Sequence, residues 1–282
     1  MDLLQVHANA RRSQGRGQSA QYIRSINHGP LVVPYVTVYI IAEAGVSHNG
    51  SMSEAIALIH AAKRCGADAI KFQTYITDDI CRKDSPEYAV LKRCELSYAE
   101  FADLSERCKL AGIDFISTPD TVKDAEFLDT LGMRYMKVGS ANSGMDFIYR
   151  IKHLKTPLLI SLGMGNGVYY EAEYMHCVSA YPCPLDQANM GRVDGEDIAG
   201  FSDHTLGSMA AIMAVARGAK FIEKHFTLDR HADGPDHHMS LEPDEMARYI
   251  ADIRLAESAL GDGVRRVMPC EQATIEQLRA RK

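Results

Sequence analysis

The chain has 282 residues, of which 46% are hydrophobic, and carries a formal net charge of -6. This acidic balance argues against nucleic acid as a main partner, and no apolar run approaches the roughly 20 residues that a membrane span requires. The seven cysteines have neither the spacing of a zinc site nor the even number of a disulfide framework, and no signal-peptide pattern opens the chain, so we expect a cytoplasmic protein.

In chain order, residues 1–34 are polar and without periodicity, which predicts a solvated tail. Apolar strand-like runs and helix-like segments then alternate. The predicted strands lie at residues 37–44, 69–75, 114–118, 135–139, 157–162, 174–180, 200–204 and 221–226. The predicted helices lie at residues 53–65, 97–110, 121–131, 145–154, 206–218 and 243–260. Ser53 is the expected N-cap of the first helix, and Ser97 with Glu100 fits a capping box.

Eight strands that are apolar throughout and alternate with helices predict an α/β protein with a (β/α)8 TIM barrel over residues 35–263. A doubly wound open sheet is the competing fold, but no glycine-rich turn follows the first strand to support it. One unit is irregular, because only about a dozen residues separate the fifth and sixth strands, fewer than a crossover helix with its loops needs. Either the helix after strand five is missing or shortened, or part of the chain is absent from this sequence.

Two histidines, His204 and His225, end the seventh and eighth strands. In a strand–helix–strand unit the carboxyl ends of the parallel strands share one rim, so the two imidazoles are expected to converge there. Asp236 follows on the next loop, and Glu223 and Glu43 are expected nearby. This arrangement indicates a divalent metal site or polar catalysis, and two imidazoles with oxygen ligands suit Mn²⁺, Fe²⁺, Co²⁺ or Zn²⁺.

Two lysines, Lys71 and Lys137, lie within apolar strands, where an ammonium group is costly to bury without an anion. We interpret that anion as a ligand; snorkelling of the lysines at the strand ends is the alternative. Hydroxyl side chains recur at the same height of the predicted barrel, namely those of Ser117, Thr118, Ser140, Ser161, Ser179 and Ser202. Together these donors predict a small, doubly anionic substrate. His48, in the rim loop after Glu43, is a further residue that could contact it.

Several motifs taken together resemble the sialic acid synthase (N-acetylneuraminate synthase) family. They are Ile41-Ala-Glu-Ala-Gly-Val-Ser-His-Asn-Gly50, Lys71-Phe-Gln73, Ser117-Thr-Pro119, Lys137-Val-Gly-Ser140, Tyr181-Pro182, Phe201-Ser-Asp-His-Thr205, Glu223-Lys-His-Phe-Thr227 and Gly234-Pro-Asp-His237. The resemblance implies a (β/α)8 barrel enzyme that condenses phosphoenolpyruvate with an aldose. The implied products are a 2-keto-3-deoxy sugar acid and phosphate.

The resemblance also implies a role for each matching residue. His204 and His225 would hold a divalent metal, Mn²⁺ first, with Mg²⁺ or Co²⁺ as alternatives. Phosphoenolpyruvate would be bound by Lys71, Lys137, Ser140, Ser161, Ser179 and Ser202. The sugar would be held by Gln73, Tyr181 and Asp236, and Glu43 and His225 would be the catalytic residues, with Glu43 handling the proton of an attacking water. A homodimer is a further expectation of the family.

Three departures from the family pattern bear on the sugar. Asn142 stands where members that make sialic acid carry an acidic residue, and the turn after strand five reads Ser161-Leu-Gly-Met164. Residues 264–282 are expected where an antifreeze-like domain would normally follow, so the chain is expected to lack that domain. We therefore expect an acceptor that is an N-acetylmannosamine-like or related sugar and need not be N-acetylmannosamine itself. The alternatives are a metal-dependent sugar isomerase or aldolase on the same barrel, and a non-catalytic paralogue.

Overall fold

The computed structural model describes residues 37–164 and 172–281. Its eight strands are β1 (Tyr39–Gly45), β2 (Ala69–Thr74), β3 (Asp114–Pro119), β4 (Met136–Val138), β5 (Leu158–Leu162), β6 (Glu173–Cys177), β7 (Gly200–Asp203) and β8 (Phe221–His225). All paired neighbours are parallel, in the order β3-β2-β1-β8-β7-β6-β5-β4. The two end strands, β3 and β4, also lie beside each other, so the sheet forms a nearly closed barrel. The predicted (β/α)8 barrel is confirmed.

The barrel helices are α1 (Met52–Cys65), α2 (Thr77–Ile80), α3 (Tyr88–Cys94), α4 (Tyr98–Ala111), α5 (Val122–Asp129), α6 (Met145–Ile151), α7 (Met209–Ala216) and α8 (Pro243–Leu260). The predicted capping box of Ser97 and Glu100 is present at the start of α4. The predicted cap of α1 is wrong by two residues: Ser51, in an extended conformation, accepts a hydrogen bond from the Glu54 amide, and Ser53 lies inside the helix. None of the helices in the described ranges is long and apolar enough to cross a membrane.

The short helices α2 and α3 lie between β2 and α4, where no helix was predicted. The connection from β6 to β7 holds two 3-10 turns, Leu185–Gln187 and Met190–Arg192, and no α-helix in its described residues. Strand β6 ends at Cys177 and not at residue 180 as predicted, so Ser179 lies in the loop beyond it. The prediction of a missing helix after β5 concerns residues 165–171, which lie outside the described residues.

Residues 263–281 form a separate unit with a 3-10 turn, Pro269–Glu271, followed by helix α9 (Gln272–Ala280). The predicted N-terminal tail, residues 1–34, lies outside the described residues. The domain boundaries at residues 34 and 263 therefore stay predictions.

The barrel interior changes from apolar to polar along the strands. Toward the amino ends it is filled by a buried cluster that includes Ile41, Leu159, Met175 and Phe221. Two residues further along the same strands, the side chains that line the cavity at the carboxyl ends are Glu43, Ser161, Cys177 and Glu223. Because side chains alternate between the two faces of a strand, residues two apart share the interior face. The apolar cluster therefore fills the barrel interior directly below the polar residues that line the cavity.

Candidate active site

A cavity of about 400 Å³ opens at the carboxyl ends of the strands, where (β/α)8 barrels carry their active sites. Almost all of the residues proposed from sequence line it. They are Glu43, Lys71, Gln73, Lys137, Ser140, Ser161, Tyr181, Ser202, His204, His225 and Asp236. Three residues proposed from sequence lie outside this lining, namely His48, Ser117 and Ser179. The Ser179 hydroxyl is nevertheless 2.8 Å from that of Ser140, whereas the Ser117 hydroxyl is 2.7 Å from Thr74 Oγ1.

The two buried lysines are paired with protein carboxylates. Lys71 Nζ lies 2.6 Å from Glu43 Oε2 and 3.6 Å from Glu223 Oε2, and Lys137 Nζ lies 3.4 Å from Glu223 Oε1. Each of the four side chains is at most 7% exposed. The carboxylates of Glu43 and Glu223 therefore account for the burial of both lysines without a ligand, and the binding of an anionic ligand by the lysines stays a prediction.

Hydroxyl groups hold this charged network in place. Lys71 Nζ donates to Thr118 Oγ1 over 3.0 Å, and Lys137 Nζ donates to Ser161 Oγ over 2.7 Å. Ser202 Oγ donates to Glu223 Oε1 over 2.9 Å. These fixed donors and acceptors orient both ammonium groups at the cavity wall, where an anionic ligand would meet them.

The two glutamates differ in their affinity for protons. Burial raises the pKa of Glu43 to about 8, although Lys71 acts in the opposite direction. Burial also works to raise the pKa of Glu223, but Lys137 and Lys71 outweigh it and lower this pKa to about 2. Glu223 is therefore the stronger acid and stays ionised, whereas Glu43 is the one of the two that accepts a proton more readily.

The two histidines at the ends of β7 and β8 converge, as predicted. Their ring centroids are 5.7 Å apart, and the Tyr181 ring lies 4.1 Å from that of His204 and 5.6 Å from that of His225. His204 Nδ1 is 2.6 Å from the Val178 carbonyl oxygen. Burial lowers the pKa of both histidines, that of His225 to about 3. Both imidazoles are therefore neutral at physiological pH, the form in which histidine binds metals.

The donor set fits a divalent cation with two protein ligands. The Val178 carbonyl accepts a hydrogen bond from His204 Nδ1 and leaves Nε2 available to bind a cation, an arrangement that is typical of metal-binding histidines. His225 Nδ1 is buried without a hydrogen-bond partner among the described residues. In the same part of the chain no group of three or more histidine, cysteine or acidic side chains is placed to hold a metal. Glu43 and Glu223, which were expected near the histidines, form ion pairs with Lys71 and Lys137.

Asp236, in the loop after β8, lines the cavity and lies beside Gly45 of β1. Gly45 has φ of +51°, and a Cβ on it would lie 2.7 Å from Asp236 Oδ2 and 3.0 Å from Glu43 Oε1. Burial raises the pKa of Asp236. Glycine at this position lets the two carboxyl groups approach one another beside the backbone.

A second glycine, Gly163, leaves room for three side chains on the other side of the cavity. A Cβ there would lie 2.5 Å from Ser179 Oγ, 2.9 Å from Cys177 Sγ and 2.9 Å from Ser140 Cβ. Cys177 was not proposed from sequence, although it ends β6 on the interior face. Ser179 therefore contributes to the wall of the site indirectly, through its contact with Ser140.

Asp120 is the acidic cavity residue that sequence reasoning missed. It immediately follows β3, and its carboxylate accepts hydrogen bonds from Gln73 Nε2 at 2.9 Å and from Asn142 Nδ2 at 3.2 Å. The signal was present, because polar residues at the carboxyl ends of barrel strands face the site. His48, by contrast, does not line the cavity. It is fully buried, with its Nδ1 accepting a hydrogen bond from the Gly50 amide, so its predicted substrate contact is wrong.

Comparison with known proteins identifies relatives over most of the chain. The model of the NeuB family matches residues 58–265. An N,N'-diacetyllegionaminic acid synthase of Legionella pneumophila is 36% identical over 265 residues, which cover 81% of this chain and 74% of the relative. The N-acetylneuraminate-9-phosphate synthase of Homo sapiens is 34% identical over 274 residues, covering 85% and 76%.

A solved structure of similar architecture is the N-acetylneuraminic acid synthetase of Leptospira borgpetersenii in complex with citrate. It superposes with a TM-score of 0.78 at 29% identity, covering 87% of this chain and 93% of that one. The likeness therefore extends over most of the chain.

Proposed function

Because the chain belongs to the NeuB family, we propose that it condenses phosphoenolpyruvate with an aldose to give a 2-keto-3-deoxy sugar acid and phosphate. It is an enzyme of the class to which its relatives belong, the synthases of sialic-acid-type sugars. The observation that carries the proposal is the pair of buried lysines beside Glu43 and the two histidines in one cavity.

The lysines and hydroxyls form the expected phosphoenolpyruvate subsite. Lys71 and Lys137 would pair with the carboxylate and phosphate, and the hydroxyl groups of Ser140, Ser161, Ser179 and Ser202 surround them. In the structure the two ammonium groups are balanced by the carboxylates of Glu43 and Glu223. A substrate with several negative charges therefore requires further positive charge in the cavity, from a proton on Glu43 or from a cation.

The two neutral histidines are where that cation would be held. A divalent ion on His204 and His225, with Mn²⁺ proposed first and Mg²⁺ or Co²⁺ as alternatives, would supply Lewis acidity toward the aldehyde oxygen of the open-chain sugar. Tyr181, whose ring lies against His204, would cover the sugar beside this position. Gln73 and Asp236 would hold its remaining hydroxyls.

The chemistry needs one new carbon–carbon bond and a new place for both protons of one water molecule. C3 of phosphoenolpyruvate attacks the aldehyde carbon, so the aldehyde oxygen becomes an alkoxide and positive charge develops at C2. Water adds at C2 as Glu43 accepts one of its protons and passes a proton on to the alkoxide. The tetrahedral centre then collapses to the C2 ketone: its C–O bond to phosphate breaks, and the remaining hydroxyl proton leaves with the phosphate. Burial raises the pKa of Glu43, which makes its carboxylate a stronger base than an exposed one. Glu223, with a pKa of about 2, stays ionised and holds both lysines.

The acceptor class follows from the two relatives named above, a synthase of N,N'-diacetyllegionaminic acid and one of N-acetylneuraminate-9-phosphate. We propose an acylamino aldose of hexose size, similar to N-acetylmannosamine.

The test is phosphate release from phosphoenolpyruvate with a panel of acylamino and plain aldoses, with and without Mn²⁺. We expect release that requires both an aldose and the metal, together with a 2-keto acid detected by mass spectrometry. A folded, metal-loaded protein that releases no phosphate with any aldose would falsify the synthase function. Interconversion of aldose and ketose without phosphoenolpyruvate would instead support the isomerase alternative, which has no use for two buried lysines.

A further inference from the structure

Asp120 is a cavity carboxylate to which neither the sequence motifs nor the reaction outlined above assigns a part. It lies at the end of β3, with its backbone amide donating to the Thr74 carbonyl oxygen over 3.2 Å, so its position is set by the sheet. It lines the same cavity as Glu43 and the lysines.

Two amide groups hold the Asp120 carboxylate, one on each oxygen. Gln73 Nε2 donates to Oδ2 and Asn142 Nδ2 donates to Oδ1. A carboxylate can accept about four hydrogen bonds, so each oxygen keeps acceptor capacity after these two contacts. The two amides therefore orient the carboxylate and leave part of its acceptor capacity available.

Asp120 also differs from Glu43 and Glu223 in its lack of a cation. Glu43 and Glu223 are ion-paired with Lys71 and Lys137, whereas Asp120 has no lysine, arginine or histidine nitrogen within 4.0 Å in the described ranges. A half-buried carboxylate with no counter-ion, held by amides at a cavity wall, presents free acceptors to whatever enters.

We propose that Asp120 is a specificity-determining residue that binds the acceptor aldose through O–H or amide N–H donors. The inference rests on the proposed function, since it assigns this carboxylate to the sugar and not to phosphoenolpyruvate. Its neighbours support that division: Gln73 lies two residues beyond Lys71 toward the mouth of the cavity, and Asn142 lies two residues beyond Ser140. A carboxylate there selects an uncharged, donor-rich sugar and repels a phosphate or carboxylate at the same contact.

The experiment compares the wild type with Asp120→Asn, which keeps the size and removes the charge, in the phosphate-release assay. We expect the KM for the aldose to rise about ten-fold or more, the effect of losing a charge-assisted hydrogen bond, with the KM for phosphoenolpyruvate unchanged within about two-fold. Asp146→Asn removes the same charge from an exposed position outside the cavity and is the matched control.

Sugar analogues separate recognition from a merely structural role. Removing the single hydroxyl or acylamino group that contacts Asp120 is expected to raise the aldose KM of the wild type about ten-fold. The aldose KM of Asp120→Asn should rise by less than about two-fold. The analogue that shows this difference identifies the donor as O–H or N–H. Equal sensitivity of both proteins to every analogue, or an unchanged aldose KM in Asp120→Asn, would overturn the inference alone. A wild type that releases no phosphate with any aldose would overturn the proposed function and this inference with it.

Discussion

Lys71 Nζ lies 2.6 Å from Glu43 Oε2, so the expected anion-binding group and the expected base are joined in one buried ion pair. The two residues face each other across the β1–β2 ladder, where their Cα atoms are register partners. An anion that binds Lys71 competes directly with Glu43 for the ammonium charge. We therefore expect phosphoenolpyruvate binding to strengthen Glu43 as a base, because a carboxylate that loses its cation holds a proton more tightly.

The first prediction concerns the second lysine. Lys137→Met keeps the apolar stem but removes the ammonium that lies 3.4 Å from Glu223, so we expect the affinity for phosphoenolpyruvate to fall on the order of 100-fold. Calorimetric titration with phosphoenolpyruvate measures this without turnover. Lys109→Met, which breaks an exposed pair with Glu106, is the control and should bind normally. Normal binding by Lys137→Met would remove this lysine from the substrate site.

The second prediction tests the space beside Gly163. Gly163→Ala would place a methyl group within 2.9 Å of the Cys177 sulfur and closer still to the Ser179 hydroxyl, and overpacking of this kind costs about 1–3 kcal/mol. We expect the KM for phosphoenolpyruvate to rise about ten-fold because Ser179 and Ser140 must move. Gly144→Ala is the matched control, since a Cβ at Gly144 meets nothing within 4 Å. Equal kinetics for the two variants would show that this wall does not contact substrate.

The third prediction concerns the histidine pair. His225→Ala removes an imidazole whose Nδ1 is buried without a partner, so we expect Mn²⁺ affinity to fall on the order of 100-fold or more while the fold persists. Calorimetric titration with Mn²⁺ alone and a thermal melt provide the two readouts. His153→Ala, at an exposed position, should bind Mn²⁺ like the wild type. If His225→Ala kept wild-type Mn²⁺ affinity, these histidines would not be the metal ligands.

The fold and most of the cavity could be predicted because both depend on local sequence patterns. Alternation along each strand places Lys71 and Gln73 on the same face, and parallel strands bring their carboxyl ends to one rim. The pairing of Lys137 with Glu223 could not be predicted, since it depends on distances across the barrel between strands β4 and β8 that do not pair. The burial of His48 depends in the same way on the path of one loop.

The fourth prediction is a stability effect of His48. Burial lowers its pKa to about 4, against a weak opposing effect of Glu100. Between its unfolded value of 6.5 and about 4, the unfolded chain binds more protons than the folded one, so stability falls as the pH falls through this window. Lowering the pH from about 7 to about 5 should cost the wild type about 2 kcal/mol through this group.

His48→Gln removes the titrating group and keeps an acceptor for the Gly50 amide. The free energy of unfolding of this variant should therefore fall by about 2 kcal/mol less than that of the wild type between about pH 7 and about pH 5. Urea unfolding at the two pH values measures it. His60→Gln, at an exposed position of α1, should follow the wild type. Parallel pH curves for His48→Gln and the wild type would contradict the assignment.

The last prediction gives Asp120 a pH signature. Burial raises its pKa to about 6, although the Gln73 amide acts in the opposite direction. Above this pKa the carboxylate accepts hydrogen bonds from the sugar, and below it a proton occupies one oxygen, so aldose binding weakens as the pH falls. Other groups that titrate in this range affect the aldose KM of both proteins equally. The ratio of the KM of Asp120→Asn to that of the wild type therefore isolates the effect of Asp120. We expect a ratio of about ten or more near pH 8 that approaches one near pH 5. A ratio that stays constant across this range would mean that the charge of Asp120 does not contribute to sugar binding.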